Sequence, residues 1–363
     1  MINIDFLIAG CDTRCRHCYV NGGPAPLMPV DDALACFAAL DRIGEYLPAD
    51  TSFTLDQEPF GHPQLDRIMD RAARMTNIRY YHHGMTTGLA LMRRPDREDA
   101  VRAYTDRGYR DFGITVHGNA AHHDGIVRRK GAFMTSVEAA KFLKGMGCRV
   151  QISLMLNRHF ASDAEEISRL LDEVRPDDVW FANPIFTPHP SMAAFEPFRA
   201  TLDTIGAIRP YLTRWRQDEH EVTENAFLNS VAAAAERLRQ TPLSDLWAME
   251  QPEKYLSLHS DCRLYYGNSG AETRCLGDIR TLEPEKAADM IRSLPGNRDC
   301  GAFYDAEKLP AEEDVRAALE SLPPGLTYGD FESVLYRAFT ELGVPTKLLP
   351  ADEKEDNGYG NGT

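Results

Sequence analysis

Ile2-Asn3-Ile4-Asp5-Phe6-Leu7-Ile8-Ala9-Gly10-Cys11-Asp12-Thr13-Arg14-Cys15-Arg16-His17-Cys18-Tyr19 opens the chain with a short apolar alternation that runs straight into three cysteines. Ile2 to Ile8 reads as a strand, which puts the C-x3-C-x2-C spacing of Cys11, Cys15 and Cys18 on the loop leaving its carboxyl end. In α/β barrels the chemistry sits on such loops. Thiolates are the usual protein ligands of iron–sulfur clusters, and three of them leave one iron of a 4Fe-4S cube open to a small molecule. Structural zinc is the competing reading, but a closed zinc site takes four N or S ligands in paired knuckles, a pattern this loop lacks.

Working outward, strand-like runs recur at Ser52–Leu55, Ile78–His82, Phe112–Val116, Arg149–Leu156 and Val179–Phe186, with helix-length amphipathic stretches between them. From Pro29 to Leu47 the residues Ala33, Cys36, Leu40, Ile43 and Leu47 form one apolar stripe, which makes Cys36 a core residue. The helical pattern Phe133–Met146 stops at Gly147 and Cys148 stands at the entrance of the next strand, also as a structural residue. Six βα units in series predict an α/β fold, a partial (β/α)6 TIM-like barrel over residues 1–215. A helical linker is expected over 216–254. A small C-terminal extension follows: a β-hairpin region at 255–305, with Arg263–Tyr266 and Ala271–Leu276 flanking the turn Gly267–Gly270, then helices at 306–350 and a disordered tail at 351–363.

The chain has 363 residues with 40 Lys and Arg against 55 Asp and Glu, a net charge of −15 that argues against nucleic-acid binding. No window approaches the ~20 apolar residues of a membrane span. Ile8-Ala9-Gly10-Cys11 imitates a lipoprotein cleavage box, but no basic segment precedes it and Asp5 interrupts the apolar run, so a cytoplasmic protein is expected. Eight cysteines in so long a chain are too dilute for a disulfide scaffold.

The Cys11, Cys15, Cys18 triad followed by Tyr19 resembles the hallmark of the radical S-adenosylmethionine (SAM) enzymes, and the similarity continues for about two hundred residues. Where that family ends its second strand in Gly-Gly-Glu-Pro, this chain has Asp56-Gln57-Glu58-Pro59, keeping Glu58 and Pro59. The resemblance implies a SAM-binding 4Fe-4S cluster on the three cysteines, with the SAM ammonium group held at Gln57 and Glu58. His17 stands where the family usually has an aromatic residue near adenine, and either stacks there or points to solvent. Arg128 and Arg129, in the loop after Ile114–Gly118, are candidates for the SAM carboxylate or belong to an ordinary basic loop. Ser153 and Asn157 are candidates for the ribose hydroxyls, against a core serine and a turn asparagine.

The spacing from Cys262 through Gly270 to Cys275 is similar to the hairpin of the twitch and SPASM extensions, which hold auxiliary 4Fe-4S clusters in this superfamily. If Gly267–Gly270 is a four-residue turn, Cys262 falls opposite Cys275, and Cys300 supplies a third ligand. A disulfide and unliganded core cysteines are the alternatives. The resemblance implies an enzyme in which the reduced cluster cleaves SAM to a radical acting on a peptide, small-molecule or natural-product substrate, with a flavodoxin- or ferredoxin-type electron donor. Within the family, carbon–heteroatom bond formation, including carbon–arsenic coupling by an amino-carboxypropyl radical, stays open. An iron–sulfur electron carrier or redox sensor without SAM cleavage is the rival class.

Overall fold

Ile2, Ile4 and Phe6 are buried while Asn3 and Asp5 between them are only partly so, and the first strand, β1 (Ile2–Phe6), turns an apolar face to a helical layer and a polar face inward. The computed structural model describes residues 1–243, 245, 253–296 and 303–349. Phe6 packs on Phe37 with ring centroids 4.6 Å apart, and Phe37 lies 5.5 Å from Phe53. These rings fasten β1 to α1 (Val30–Gly44) and to β2 (Ser52–Leu55). The stripe read from the sequence is in place, with Ala33, Cys36, Leu40 and Ile43 buried on α1.

The strands form two sheets. In the first, β10 (Arg274–Asp278), β9 (Arg263–Tyr266), β8 (Lys254–Leu258), β1, β2 and β3 (Arg79–Tyr80) lie in that order. In the second, β4 (Met85–Thr86), β5 (Asp111–Val116), β6 (Arg149–Met155) and β7 (Asp178–Ala182) are all parallel. The sheets meet at residues 81–84, where Tyr81 N donates to Phe53 O on one side and Gly113 N to Gly84 O on the other. Helices α2 (Leu65–Ala72), α3 (Leu89–Arg93), α4 (Arg97–Thr105), α5 (Ala120–Val127), α6 (Ala132–Gly145) and α7 (Phe160–Val174) connect successive strands on the outside. This is the partial α/β barrel expected.

Two features differ from the sequence reading. Strand β8 begins at the end of the stretch expected as a helical linker and pairs in parallel with β1, Ile2 opposite Lys254 and Phe6 opposite Leu258. The hairpin of β9 and β10 therefore continues the barrel sheet through β8, to which β9 is antiparallel. The register of the hairpin also corrects the expected one. Cys275 stands opposite Tyr265, and a bulge follows between Cys275 and Gly277. Cys262 precedes β9 in a left-handed turn at φ +65° and is buried, and the Cys36 thiol of α1 hydrogen-bonds to its sulfur. The chain spends more residues on the turn than a four-residue loop needs, so the two cysteines are not cross-strand partners.

Beyond the barrel, α8 (Leu202–Leu212), α9 (Glu219–Leu228), α10 (Val231–Gln240), α11 (Pro284–Ser293), α12 (Glu312–Ser321) and α13 (Phe331–Glu341) follow. Residues of α10, α12 and α13 build a second apolar core with Phe186, Tyr304 and Tyr328. Among the described residues no helix is long and apolar enough to cross a membrane. Cys300 and the tail at 351–363 lie outside the described residues.

Candidate functional site

The loop leaving β1 is held from three sides. Cys11 N donates to Gly23 O at 2.8 Å, closing the loop on itself. Gly10 makes this closure possible: a Cβ there would stand 2.3 Å from Ala25 N. Arg14 N and Arg16 N donate to Val127 O and Ile126 O at the carboxyl end of α5. Asp12 accepts from Arg93 at 2.6 Å through its carboxylate and from Arg129 at 2.9 Å through its carbonyl.

Within this loop Thr13 Oγ1 lies 3.1 Å from Cys11 Sγ and accepts from Cys15 Sγ at 3.3 Å, while Gly22 N donates to Cys18 Sγ at 3.0 Å. Burial pushes each of the three thiols up to about 12, so all three stay protonated until a metal displaces the proton. Among the described residues no three His, Cys, Asp or Glu side chains converge on one metal ion. A cube of iron and sulfide asks for something else: its thiolates bind separate irons. Three thiols on one buried loop, with the backbone N–H of Gly22 aimed at a sulfur, fit that group.

At the end of β2, Gln57 is in the left-handed region at φ +60° and Glu58 is fully buried. Glu58 Oε1 accepts from Thr86 Oγ1 at 2.6 Å, and Oε2 accepts from Thr87 N at 2.8 Å and Thr87 Oγ1 at 2.6 Å. Burial raises its pKa, and the threonine hydrogen bonds act against that rise. A carboxylate has about four acceptor positions, so three are taken from the protein and one is left. Neither threonine was singled out by sequence, because nothing local marks a partner 28 residues away.

Two cavities adjoin the cysteine loop. A large one of about 910 Å³ fills the barrel lumen and has His17 and Tyr19, the two neighbours of Cys18, in its wall. Burial holds the His17 imidazole neutral, down to about 4, and its ring lies 4.5 Å from that of His117. A smaller cavity of about 380 Å³ is lined by Cys15, Gln57 and Arg128 together with Ser269 and Glu272. Ser269 ties the site together: its hydroxyl donates to Val20 O at 3.1 Å and accepts from Gln57 Nε2 at 3.3 Å. The turn Gly267–Gly270 was legible, but its contact with the cysteine loop was not.

The other candidates have local bonds and turns of their own. Arg128 takes a left-handed conformation to end α5, and Arg129 is bonded to Asp12. Ser153 is fully buried on β6, with its Oγ accepting from Gln151. Asn157 donates to His117 O at 2.8 Å and Met155 O, and accepts from His159 N. Ser153, Asn157 and Glu58 alike are fully buried behind the lining of both cavities. Cys275 is exposed and Cys262 is turned toward Cys36, so these two do not meet.

Residues 6–171 match the family model of the radical SAM superfamily, and this segment contains the three cysteines, Glu58 and both threonines. This segment is a radical SAM domain. Among solved structures, native anSMEcpe with bound AdoMet superposes with a TM-score of 0.54 at 12% identity, over 94% of this chain and 96% of that one. The same protein with bound AdoMet and Cp18Cys peptide gives 0.52 at 12% identity, over 94% and 96%. Streptococcus suis SuiB bound to its precursor peptide SuiA gives 0.49 at 13%, over 91% and 75%. None of the curated protein sequences matches. The likeness to anSMEcpe extends well beyond the radical SAM segment and carries the fold of nearly the whole chain. With this radical SAM segment the chain is an enzyme, and the segment implies a 4Fe-4S cluster and SAM as cofactors.

Proposed function

We propose that the chain cleaves SAM at a 4Fe-4S cluster on Cys11, Cys15 and Cys18 and directs the radical into the barrel lumen, onto a peptide side chain or small molecule. The observation that carries this reading is positional: the residues on either side of Cys18 line the 910 Å³ cavity, so the cysteine loop forms part of its wall. When bound, the cluster supplies one electron that splits SAM into methionine and a 5′-deoxyadenosyl radical. The chain's own residues do the rest. Gly22 N–H steadies the Cys18 sulfur, and Gln57 and the last acceptor position of Glu58 receive the SAM ammonium. A peptide is supported by the likeness to anSMEcpe, one of whose structures holds a peptide. The electron comes from a flavodoxin- or ferredoxin-type donor.

An auxiliary cluster at Cys262, Cys275 and Cys300 receives no support from the hairpin register and stays outside this reading. Anaerobically reconstituted, dithionite-reduced protein given SAM is expected to release 5′-deoxyadenosine and to hold about four irons per chain. The Cys11→Ala, Cys15→Ala, Cys18→Ala triple variant should lose both. Undiminished 5′-deoxyadenosine from that variant would overturn the reading, and iron near eight per chain would bring back the second cluster.

A further inference from the structure

The wall of the lumen has an uneven chemistry. Among the described residues it carries six carboxylates and neither lysine nor arginine. Four of the six belong to helix starts: Asp218 and Asp330 cap α9 and α13, and Glu221 and Glu332 stand in the first turns of those helices. The other two, Asp5 and Asp56, sit at the inner face of β1 and just past the end of β2. Asp5 has no ion pair or hydrogen-bonding side chain among the described residues, and Asp56 accepts from its own neighbour, Gln57 N. Burial, then the nearby Asp56 and Glu272 charges, hold the Asp5 carboxyl well above its ordinary range, a like-charge pressure that a cation relieves.

A second observation points the same way. Four oxygens of this wall have no hydrogen-bond partner: Thr54 Oγ1, Asn183 Oδ1, Thr187 Oγ1 and Asn268 Oδ1. Thr187 is 7% exposed, and Thr54 stands directly across from Asp5 in the β1–β2 register. The Asn183 amide cannot turn its NH2 inward, because Nδ2 is committed to Tyr328 O at 2.8 Å. The two amide oxygens can only accept and the two hydroxyls can accept as well as donate, so a ligand that brings N–H donors satisfies all four. The buried guanidinium of Arg199, under the Tyr328 ring, shares Glu196 with Arg337 at 2.8 and 3.1 Å and does not line the lumen. His83 faces Asp56, and His17 is held neutral.

Building on the proposed function, we infer that the substrate enters the lumen by a protonated amine or guanidinium, held by Asp5 and Asp56 with Thr54, Asn183 and Thr187 accepting further N–H groups. Tyr19, Tyr81 and Tyr255 on the same wall offer aromatic faces to the cation. The cationic group belongs either to a free small molecule or to a lysine- or arginine-type side chain of a peptide.

Isothermal titration of the reconstituted, SAM-loaded full chain separates these sources. The probes are agmatine and N-acetyl-Gly-Arg-Gly-amide, each beside a neutral twin, 1,4-butanediol and the citrulline peptide. One cationic probe should bind, its twin about tenfold or more weakly, and Asp5→Asn and Asp56→Asn should each weaken the cation by about tenfold or more. Agmatine binding names a small-molecule source and tripeptide binding a peptide source. Equal binding of a neutral twin, no binding of either cation, or unchanged affinity in both variants overturns the inference. If one variant fails to fold, the other variant and the neutral twins still decide. Release of 5′-deoxyadenosine by the wild type is measured separately: its presence without cation binding sinks only the cationic lumen, and its absence sinks the proposed function itself.

Discussion

Glu58 shows how far a residue's role depends on its partners' geometry. Its three acceptor bonds come from two hydroxyls and one backbone N–H, and these donors differ in what a replacement can offer them. Thr86 Oγ1 already accepts from Gly88 N at 2.9 Å, so it can accept again from an amide NH2. The Thr87 N–H can only donate. Glu58→Gln is therefore expected to keep its amide oxygen on Thr87 and its NH2 on Thr86, at small cost. Glu58→Ala leaves the Thr87 N–H unpaired in a dry site and should lower unfolding stability by about 2–4 kcal/mol, combining the orphaned donor with lost packing. Urea titration of both variants checks this, with the glutamine form expected to lose less than half as much. Equal losses would mean that the negative charge, and not the acceptor geometry, holds β2 to the segment after β4.

At the scale of elements, the C-terminal hairpin braces the cysteine loop. Gly270 adopts φ +86°, and a Cβ there would stand 2.5 Å from Asn21 Cβ and 2.9 Å from Asn21 N. Asn21 N in turn donates to Cys18 O at 3.1 Å. Gly270→Ala should push Val20 and Asn21 away and loosen Cys18, so that the reconstituted variant loses iron on desalting faster than wild type and releases less 5′-deoxyadenosine. Ser269→Ala removes two hydrogen bonds but no space, and is expected to show the same defect in milder form, at about 1 kcal/mol per bond. Full iron retention in Gly270→Ala would show that the hairpin only rests on the loop.

For the whole molecule, the family segment is not a self-sufficient barrel. β1 sits between β2 and β8, and Leu256 and Leu258 of β8 are fully buried in the same core as Ile4 and Phe6. A chain ending at residue 240 would expose β1 as an apolar edge strand, a template for aggregation. Such a truncated chain is expected to elute from size exclusion as aggregate. A monodisperse product with a cooperative melt would show that β8 adds stability without being required. The second core of α10, α12 and α13 reaches the lumen through Tyr328 and Tyr336, so the C-terminal third also shapes the cavity.

Periodicity and spacing made β1, α1, the strand–helix alternation and the cysteine loop legible, because each depends on residues within a turn or two of one another. The existence of the hairpin was legible for the same reason. Its register was not: the bulge after Cys275 and the left-handed turn at Cys262 move the two cysteines apart, and both are chosen by packing against α1 and the sheet. Strand β4 has two residues, too few for an alternation to register. β8 could be paired with β1 by tertiary structure alone, since a strand of five residues has no local signal naming a partner some 250 positions away. The Ser269 bridge, the Thr86 and Thr87 cradle of Glu58, and the meeting of Asp5 with Asp56 belong to the same class. Local sequence sets what each segment can form, while burial, which compares distant segments at once, decides which of them meet.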